Sequence, residues 1–244
     1  MRNGQPLVSV VIPTINEEKY LPRCLSSFSK QTFKDFETII SDGGSTDRTI
    51  EIARKFGAKI IVIPRSTVTI ARQKGTDAAG GKIIVGADAD TVYPSKHLEM
   101  IVSDYKKNNN VIAVGGGGVF EKKPWWMYWL WKITYFILGK LYRWFGLVIY
   151  IPGFNLSFRK EVFKKIGGYR TYLDFGGDEL DIVNRLKKVG KIYFDEKLRP
   201  NPSSRRAKVG FLRLIAKHVF IYYFLNYWLA HLFKKPIIKG KPVR

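Results

Sequence analysis

The sequence is poor in cysteine, histidine and acidic residues, and each shortage excludes a class of protein. Its one cysteine, Cys24, rules out an internal disulfide framework and is typical of a reducing compartment. The histidines, His97, His218 and His231, lack metal-ligand spacing, so we interpret them as structural or interfacial. The start of the chain, MRNGQP, leads directly into a strand-like segment without a separate apolar stretch and cleavage site. We therefore expect no signal peptide and a protein that stays in the cytoplasm.

Acidic residues are outnumbered, with 20 Asp and Glu against 42 Lys and Arg, for a net charge of +22. None occurs between Glu121 and Glu161 or after Glu196, and both acid-free stretches are rich in aromatic residues. Trp and Tyr favour the headgroup level of a bilayer, and Lys and Arg can extend toward anionic phosphates. Residues 125–151 and 211–244 are therefore predicted to be amphipathic helices on an anionic membrane surface, at the cytoplasmic face.

Other interpretations of these segments remain open. Both can be core helices of a soluble protein, and residues 218–233 can be a transmembrane span. Those sixteen residues fall short of the ~20 that a span needs, and an extension back to Phe211 includes Arg213 and Lys217, which are costly at depth. A nucleic-acid-binding protein is also basic. Because the aromatic residues coincide with the acid-free stretches, we favour the membrane surface and expect no nucleic-acid partner.

Apolar runs alternate with helical patterns along most of the chain. Four strand-like runs, each followed by a helical pattern, predict an α/β fold with a mostly parallel sheet and helices on both faces. These runs are residues 7–13, 36–42, 58–64 and 82–88. Further strands are predicted at 111–120 and, as the last one, at 191–196. We expect one catalytic domain over 1–200, with an interfacial insertion at about 122–151, followed by a basic, aromatic, membrane-associating arm over 201–244.

Polar clusters follow the first, second and fourth strands. Ligands of such sheets bind at the carboxyl ends of the strands, so PTINE (13–17), DGGSTD (42–47) and ADAD (87–90) are expected at one crevice. A tight turn and a helix cap explain Gly44 to Asp47. That explanation does not require Asp42.

Asp88 and Asp90 lie two positions apart at the predicted end of the fourth strand. At positions i and i+2 of a strand, both side chains point to the same side and can bind one ligand. Mg²⁺ typically takes one or two carboxylates and completes its shell with water and substrate phosphates. A loop or cap role for the pair is equally open on this pattern alone.

Four segments, in this order, resemble the inverting family-2 glycosyltransferases. They are PTINEE, SDGGSTDRT, ADADT, and GFNLSFRKEVFKKIGGY followed by DELDIVNRL. The resemblance implies the nucleotide-sugar-binding GT-A fold, Mg²⁺ or Mn²⁺ as cofactor, and hexosyl transfer from a UDP- or GDP-linked donor. Because the chain is also expected at a membrane, it looks like the polyprenyl-phosphate and dolichyl-phosphate sugar transferases, with a lipid-phosphate or lipid-linked glycan as acceptor.

The resemblance also assigns roles to single residues. On the donor side, a metal bridging the diphosphate is expected at Asp90 with Asp88, Asp42 corresponds to the contact with the nucleotide base, and Arg72 lies in an Ala-Arg-Asn-x-Gly element in which Gln73 replaces Asn. The full donor-binding set is Pro13, Thr14, Glu17, Asp42, Arg72, Asp88, Ala89 and Asp90.

The general base is expected in an acidic pair that precedes Arg185-Leu186, which corresponds to Asp178 and Glu179. Glu179 is the first choice by register and Asp178 the alternative by residue type, while a helix N-terminus would also attract either acid. On the acceptor or phosphate side the resemblance places Gly153, Asn155, Arg205 and Arg206. A solvated basic patch explains the two arginines equally well.

The expected function is therefore metal-dependent, inverting sugar transfer to an acceptor at the membrane. Three rivals remain, each with its own prediction. A non-catalytic membrane adaptor tolerates loss of the acidic residues, a nucleic-acid-binding protein binds any duplex with strong salt dependence, and a nucleotidyltransferase releases diphosphate.

Overall fold

The computed structural model describes residues 4–64, 66–120, 124–173, 177–205 and 226–235. In these residues, seven strands form one sheet and two short strands form a separate ribbon. The strands are β1 (Val8–Thr14), β2 (Phe36–Asp42), β3 (Lys59–Val62), β4 (Ile83–Gly86), β5 (Thr91–Val92), β6 (Val111–Gly115), β7 (Leu156–Arg159), β8 (Lys191–Phe194) and β9 (Asn201–Pro202). The helices are α1 (Leu21–Ser29), α2 (Thr49–Lys55), α3 (Val68–Asp77), α4 (His97–Lys107), α5 (Trp125–Phe145), α6 (Lys160–Lys165), α7 (Gly177–Lys187) and α8 (Asn226–Phe233).

The sheet is mostly parallel, as predicted. Its strand order is β3-β2-β1-β4-β7-β6-β8, and only β7 runs antiparallel to its neighbours in this sheet. The carboxyl ends of β1, β2 and β4 therefore meet at one edge, which is where the sequence concentrates polar residues.

Helices cover both faces of the sheet, which confirms the α/β prediction. Alternate residues of β1 enter different cores: Val10 and Ile12 pack with α1 and α4, whereas Val11 packs on the opposite side. That second core contains Phe163 of α6 and Ile182 of α7. Burial on both faces explains why the strand sequences are apolar runs without polar alternation.

Strand β4 and its surroundings differ from the prediction in ways that matter for the site. The strand ends at Gly86, so Asp88 and Asp90 lie in the loop between β4 and β5. The predicted strand 191–196 is shorter, β8 (191–194), and it is not the last strand. It is followed by β9, which pairs antiparallel with β5. This ribbon brings residues 201–205, the start of the predicted arm, to the carboxyl edge of the sheet.

Helix α5 is 21 residues long and largely exposed, with only Met127 and Gly139 buried. Trp125 is 71% exposed and Trp144 is 66% exposed, which is inconsistent with the alternative that this segment is a core helix. None of the helices in the described ranges is long and apolar enough to cross a membrane. The second aromatic segment, 211–244, lies outside the described residues except for 226–235.

Candidate active site

The loop after β2 is organised by Asp42, whose side chain is fully buried. Its Oδ1 accepts hydrogen bonds from the hydroxyls of Thr14 (3.0 Å) and Ser45 (2.5 Å). Its Oδ2 accepts from the backbone N–H groups of Gly44 (3.0 Å) and Ser45 (2.8 Å). The expectation that the turn does not require Asp42 is therefore wrong, because four contacts within the chain fill the usual acceptor capacity of a carboxylate.

Arg72 of α3 joins the donor-side and base-side motifs of the sequence. Its Nη1 donates to Asp178 Oδ2 at 2.6 Å, and its Nη2 donates to Asp88 Oδ1 at 3.2 Å and lies 3.5 Å from Glu179 Oε1. Burial opposes its charge, but the nearby carboxylates, Asp178 foremost, outweigh burial and raise the pKa of Arg72. One buried cation thus holds three acids in a single cleft.

Glu179 is oriented by two donors from the segment before β7. Its Oε2 accepts from the Tyr150 hydroxyl at 2.6 Å, and its Oε1 accepts from the Gly153 backbone N–H at 2.8 Å. Burial raises the pKa of Glu179, although Arg72 and the Tyr150 hydrogen bond oppose that rise. A carboxylate with a raised pKa, held by fixed donors in a cleft, is suited to general-base chemistry near neutral pH.

Gly153 is required by the close approach of its backbone to these charged groups. A Cβ atom at this position would overlap the Arg72 guanidinium and lie 2.7 Å from Glu179 Oε1. Tyr93 links the segment after Gly153 to the acidic loop after β4. Its hydroxyl donates to the Phe154 carbonyl at 3.0 Å and accepts from the Asp88 N–H at 3.1 Å. One buried tyrosine therefore holds the backbone of Phe154, which follows the acceptor-side Gly153, and that of the first acid of the DxD motif.

Asp90 belongs to a second charged cluster with Glu17 and Arg205. Arg205 donates to both Glu17 oxygens at 2.9 Å, and its Nε lies 2.7 Å from Asp90 Oδ2. Ser203 Oγ also donates to Asp90 Oδ2 at 2.9 Å. Burial raises the pKa of Glu17, and the hydrogen bond and charge of Arg205 oppose that rise. The cluster shows that the carboxylates here are arranged around a positive charge.

Loss of the Arg205 cation should destabilise the fold. We expect Arg205→Gln to lower the free energy of unfolding by about 3 to 5 kcal/mol at pH 7.5, because it leaves the buried Glu17 carboxylate without its ion pair. The loss should shrink as the pH falls through the raised pKa of Glu17, since a protonated carboxyl no longer needs a cation.

Thermal and urea unfolding at pH 7.5 and pH 5 measure this effect. Arg48→Gln is the matched control, because Arg48 pairs with Glu18 while its own side chain is 76% exposed, and such exposed pairs contribute about 0 to 1 kcal/mol. Equal losses in the two variants would contradict the buried-pair account.

The predicted site residues do not all occupy the positions that the sequence predicted. Asp88 pairs with Arg72 whereas Asp90 pairs with Arg205. Both follow the end of β4 at Gly86, so the expectation that they occupy positions i and i+2 of a strand is wrong. Asn155 donates to the backbone carbonyls of Gly117 (2.6 Å) and Leu198 (2.9 Å), which is a structural role. Pro13 pairs with Ser41 in the sheet and Ala89 is buried, while Arg206 lies outside the described residues.

Several functional positions were not predicted from the sequence. Tyr93 and Tyr150 belong to none of the motifs. Tyr150 contacts Glu179, 29 positions later, and Tyr93 contacts Phe154, 61 positions later. Gln73, which replaces the family's Asn, accepts from the Tyr169 N–H at 2.7 Å and donates to Asp77 at 2.8 Å. The one available signal was the tyrosine directly after the ADADTV stretch, which lies close enough in sequence to buttress the acidic loop.

The sequence matches known proteins over much of its length. The model of "Glycosyl transferase family 2" matches residues 9–167. A PGL/p-HBAD biosynthesis glycosyltransferase of Mycobacterium bovis (strain BCG / Pasteur 1173P2) is 39% identical over 106 residues, which cover 40% of this chain and 41% of the relative. The 4,4'-diaponeurosporenoate glycosyltransferase of Staphylococcus haemolyticus (strain JCSC1435) is 36% identical over 108 residues, which cover 41% of this chain and 28% of the relative. The chain thus matches less than half the length of these curated relatives.

Solved structures share the fold over most of the chain. The mannosyltransferase PcManGT from Pyrobaculum calidifontis, in complex with GDP-Man and Mn²⁺, superposes with a TM-score of 0.69 at 19% identity, covering 98% of this chain and 66% of that chain. S. aureus TarS 1-349 in complex with UDP-GlcNAc superposes with a TM-score of 0.62 at 17% identity, covering 81% of this chain and 58% of that chain. Because these identities are low, the likeness establishes only the fold.

Proposed function

This chain belongs to glycosyl transferase family 2, and we propose that it is a metal-assisted, inverting glycosyltransferase that takes a hexosyl group from a UDP- or GDP-linked donor. The GT-A fold that the resemblance implied is confirmed. The observation that carries the proposal is the Arg72 junction, in which the DxD residue Asp88 and the acidic pair Asp178 and Glu179 meet on one buried guanidinium. Donor-side and base-side chemistry are therefore adjacent.

The carboxylates in the loop after β4 are of the type that binds a hard divalent cation. Within the described residues no group of three or more His, Cys, Asp or Glu side chains could hold a metal ion by itself. Mg²⁺ and Mn²⁺ sites of nucleotide enzymes commonly use one or two carboxylates together with substrate phosphates. Asp90 is the proposed ligand, with Asp88 beside it. The Arg205 guanidinium pairs with Asp90, which indicates that the Asp90 carboxylate favours a positively charged partner. When bound, the ion would stabilise negative charge on the departing nucleoside diphosphate.

Glu179 is the proposed general base. It would accept the proton from the acceptor hydroxyl as that oxygen bonds to the anomeric carbon and the bond to the diphosphate breaks on the opposite face. The two donors on its oxygens fix its orientation, and Arg72 stabilises its charged form. Asp178 is 1% exposed and pairs with Arg72 at 2.6 Å, so we assign it to positioning that arginine.

Removal of the Tyr150 hydroxyl should change the pH profile. Tyr150→Phe eliminates a hydrogen bond to the charged form of Glu179, so the pKa of Glu179 should rise further above its usual value. The rising limb of kcat/KM against pH should therefore move to higher pH, with activity recovered on the alkaline side. Tyr172→Phe is the control, because the contact described for that ring is with His231. An unshifted limb in Tyr150→Phe would contradict this role for the hydroxyl.

A lipid-linked acceptor, such as a polyprenyl phosphate or a lipid-carried glycan, is part of the proposal. Helix α5 contains no acidic residue and exposes a row of large apolar side chains interspersed with Lys132, Lys140 and Arg143. Lys140 Nζ lies 5.0 Å from the Trp144 ring centroid and 5.4 Å from that of Phe136. Cations beside exposed aromatic rings are typical of helices that lie in a bilayer interface. We therefore propose a peripheral position on the cytoplasmic face of an anionic membrane.

Flotation with liposomes tests the membrane proposal. Wild-type protein should float with anionic liposomes, and the double variant Trp144→Ser with Phe145→Ser should float about tenfold less, since both rings are 66% exposed and would lose their burial in the interface. Phe56→Ser is the control. This ring is also exposed, but it lies at the C-terminus of α2, outside the proposed membrane-binding segments. Wild-type protein that never floats with anionic liposomes would refute the proposal.

Assay of nucleoside diphosphate release tests the catalytic proposal against its rivals. UDP- and GDP-sugars are incubated with lipid extract and Mg²⁺ or Mn²⁺, and released UDP or GDP is measured. Release of inorganic diphosphate would identify a nucleotidyltransferase, and salt-sensitive duplex binding without any release would identify a nucleic-acid-binding protein. The anomeric configuration of the transferred sugar then tests inversion, because retention would contradict a single displacement assisted by Glu179.

A further inference from the structure

A cavity lies between α5 and the glycine-rich segment 117–120, apart from the site described above. The proposed sugar transfer does not use it. Its volume is about 440 Å³, within the range of small-molecule sites. Trp129, Ile133 and Phe136 line it from the helix, and Lys132 and Arg199 contribute the cationic side chains of its lining.

The walls of this cavity are fixed by close packing. A Cβ atom on Gly117 would lie 2.5 Å from Cγ of Tyr135, so the helix can approach the segment only because this residue is glycine. Trp131 stacks on Phe120 with ring centroids 5.3 Å apart and on Tyr135 at 5.7 Å. The helix is therefore held against the glycine-rich segment by aromatic contacts, and the cavity between them is a built feature.

Packing contacts connect the cavity lining to the proposed general base. Phe120 contacts Phe154 edge to face at 6.5 Å, and a Cβ atom on Gly118 would lie 3.0 Å from the Phe154 ring. The residue before Phe154 is Gly153, whose N–H donates to Glu179 at 2.8 Å. The lining of the cavity is thus linked to Glu179 through Phe154 and Gly153.

The charges of the cavity complement an anion next to an apolar chain. Among the described lining residues the acidic one is Glu196, which pairs with Arg143 at 2.5 Å. Lys132 Nζ lies 4.6 Å from the Trp129 ring centroid, at the exposed end of the apolar lining. Apolar walls with two cations therefore suit an amphiphile that carries negative charge at one end.

We propose that this cavity binds the apolar chain of an anionic acceptor, with Lys132 and Arg199 attracting its anionic end. The inference rests on the proposed transferase function, whose acceptor it narrows to molecules with an apolar chain beside a phosphate or carboxylate. It differs from general adhesion to a membrane, because it depends on the residues that line the cavity and not on the whole exposed face of α5.

Two isoleucines one turn apart on α5 provide a matched test. Ile133 lines the cavity and is 53% exposed, whereas Ile137 is 50% exposed and is not among its lining residues. Binding of monomeric farnesyl phosphate, without vesicles, is measured by tryptophan fluorescence. Ile133→Glu should weaken binding about tenfold or more, because it places a charge against the apolar chain, and Ile137→Glu should retain wild-type affinity.

The head-group part of the proposal has its own comparison. Farnesol should bind more weakly than farnesyl phosphate to the wild type, and Lys132→Gln should reduce that difference. Absence of farnesyl phosphate binding to the wild type, or equal affinity in Ile133→Glu and Ile137→Glu, would overturn the proposal. Nucleoside diphosphate release with lipid extract is followed in the same variants. Its absence from the wild type would refute the transferase function, whereas reduced release in Ile133→Glu with normal release in Ile137→Glu would support the cavity as an acceptor site.

Discussion

Glu179→Gln is expected to lower turnover by about 10²-fold to 10⁴-fold, the usual contribution of a general base. The amide keeps the size of the side chain and an oxygen that can accept from Gly153 or Tyr150, but it cannot take a proton at neutral pH. Donor affinity and thermal stability should therefore change little. Steady-state kinetics of sugar transfer, together with nucleotide binding by calorimetry, separates the chemical step from binding.

Asp178→Asn is the matched control for this prediction. It removes the 2.6 Å ion pair with the buried Arg72 guanidinium, so its main effect should be a loss of about 3 to 5 kcal/mol in the free energy of unfolding. Activity should fall less per folded molecule than in Glu179→Gln. Near-normal turnover in Glu179→Gln, with a catalytic loss confined to Asp178→Asn, would transfer the role of base to Asp178.

Asp90→Asn should lower kcat/KM by about 10²-fold to 10³-fold, a loss similar to that of one electrostatic stabiliser of a transition state. The amide is a weaker ligand for a hard cation than a carboxylate, so the variant should also lose most of its response to Mn²⁺. Titration of activity with Mn²⁺, and direct Mn²⁺ binding in the presence of nucleoside diphosphate, measure the two effects.

Asp77→Asn provides a control for loss of one negative charge, because Asp77 is an exposed residue at the end of α3 that accepts from Gln73. It should retain wild-type kinetics and metal response. If Asp90→Asn behaves in the same way as Asp77→Asn, Asp90 does not bind a catalytic metal and the assignment of the DxD motif is wrong.

The fold could be predicted because its signals are local. Apolar runs of strand length alternate with helical patterns, and polar residues appear where β1, β2 and β4 end, so a parallel sheet with a crevice at its carboxyl edge follows from general rules. Strand ends were less predictable. The predicted strand 82–88 extends beyond Gly86, but the chain leaves the sheet there to form β5, which pairs with β9 more than a hundred positions later.

The site was predictable in its residue types but not in its pairings. Arg72 and Asp178 are 106 positions apart, and Arg205 and Glu17 are 188 positions apart. No periodicity encodes such contacts, because they depend on how the strands order themselves in the sheet. For the same reason Asp42 was assigned only to the donor, although its carboxylate also organises the loop, and Tyr150 was missed as the partner of Glu179.

Release of UDP or GDP from nucleotide sugars by the wild-type protein, before and after treatment with EDTA, tests the central claim most directly. Metal-assisted transfer predicts release from at least one UDP- or GDP-linked hexose, loss of that release with EDTA, and its return when Mg²⁺ or Mn²⁺ is added in excess. No release from any donor by folded protein with Asp90 intact, or release that EDTA leaves unchanged, would contradict it.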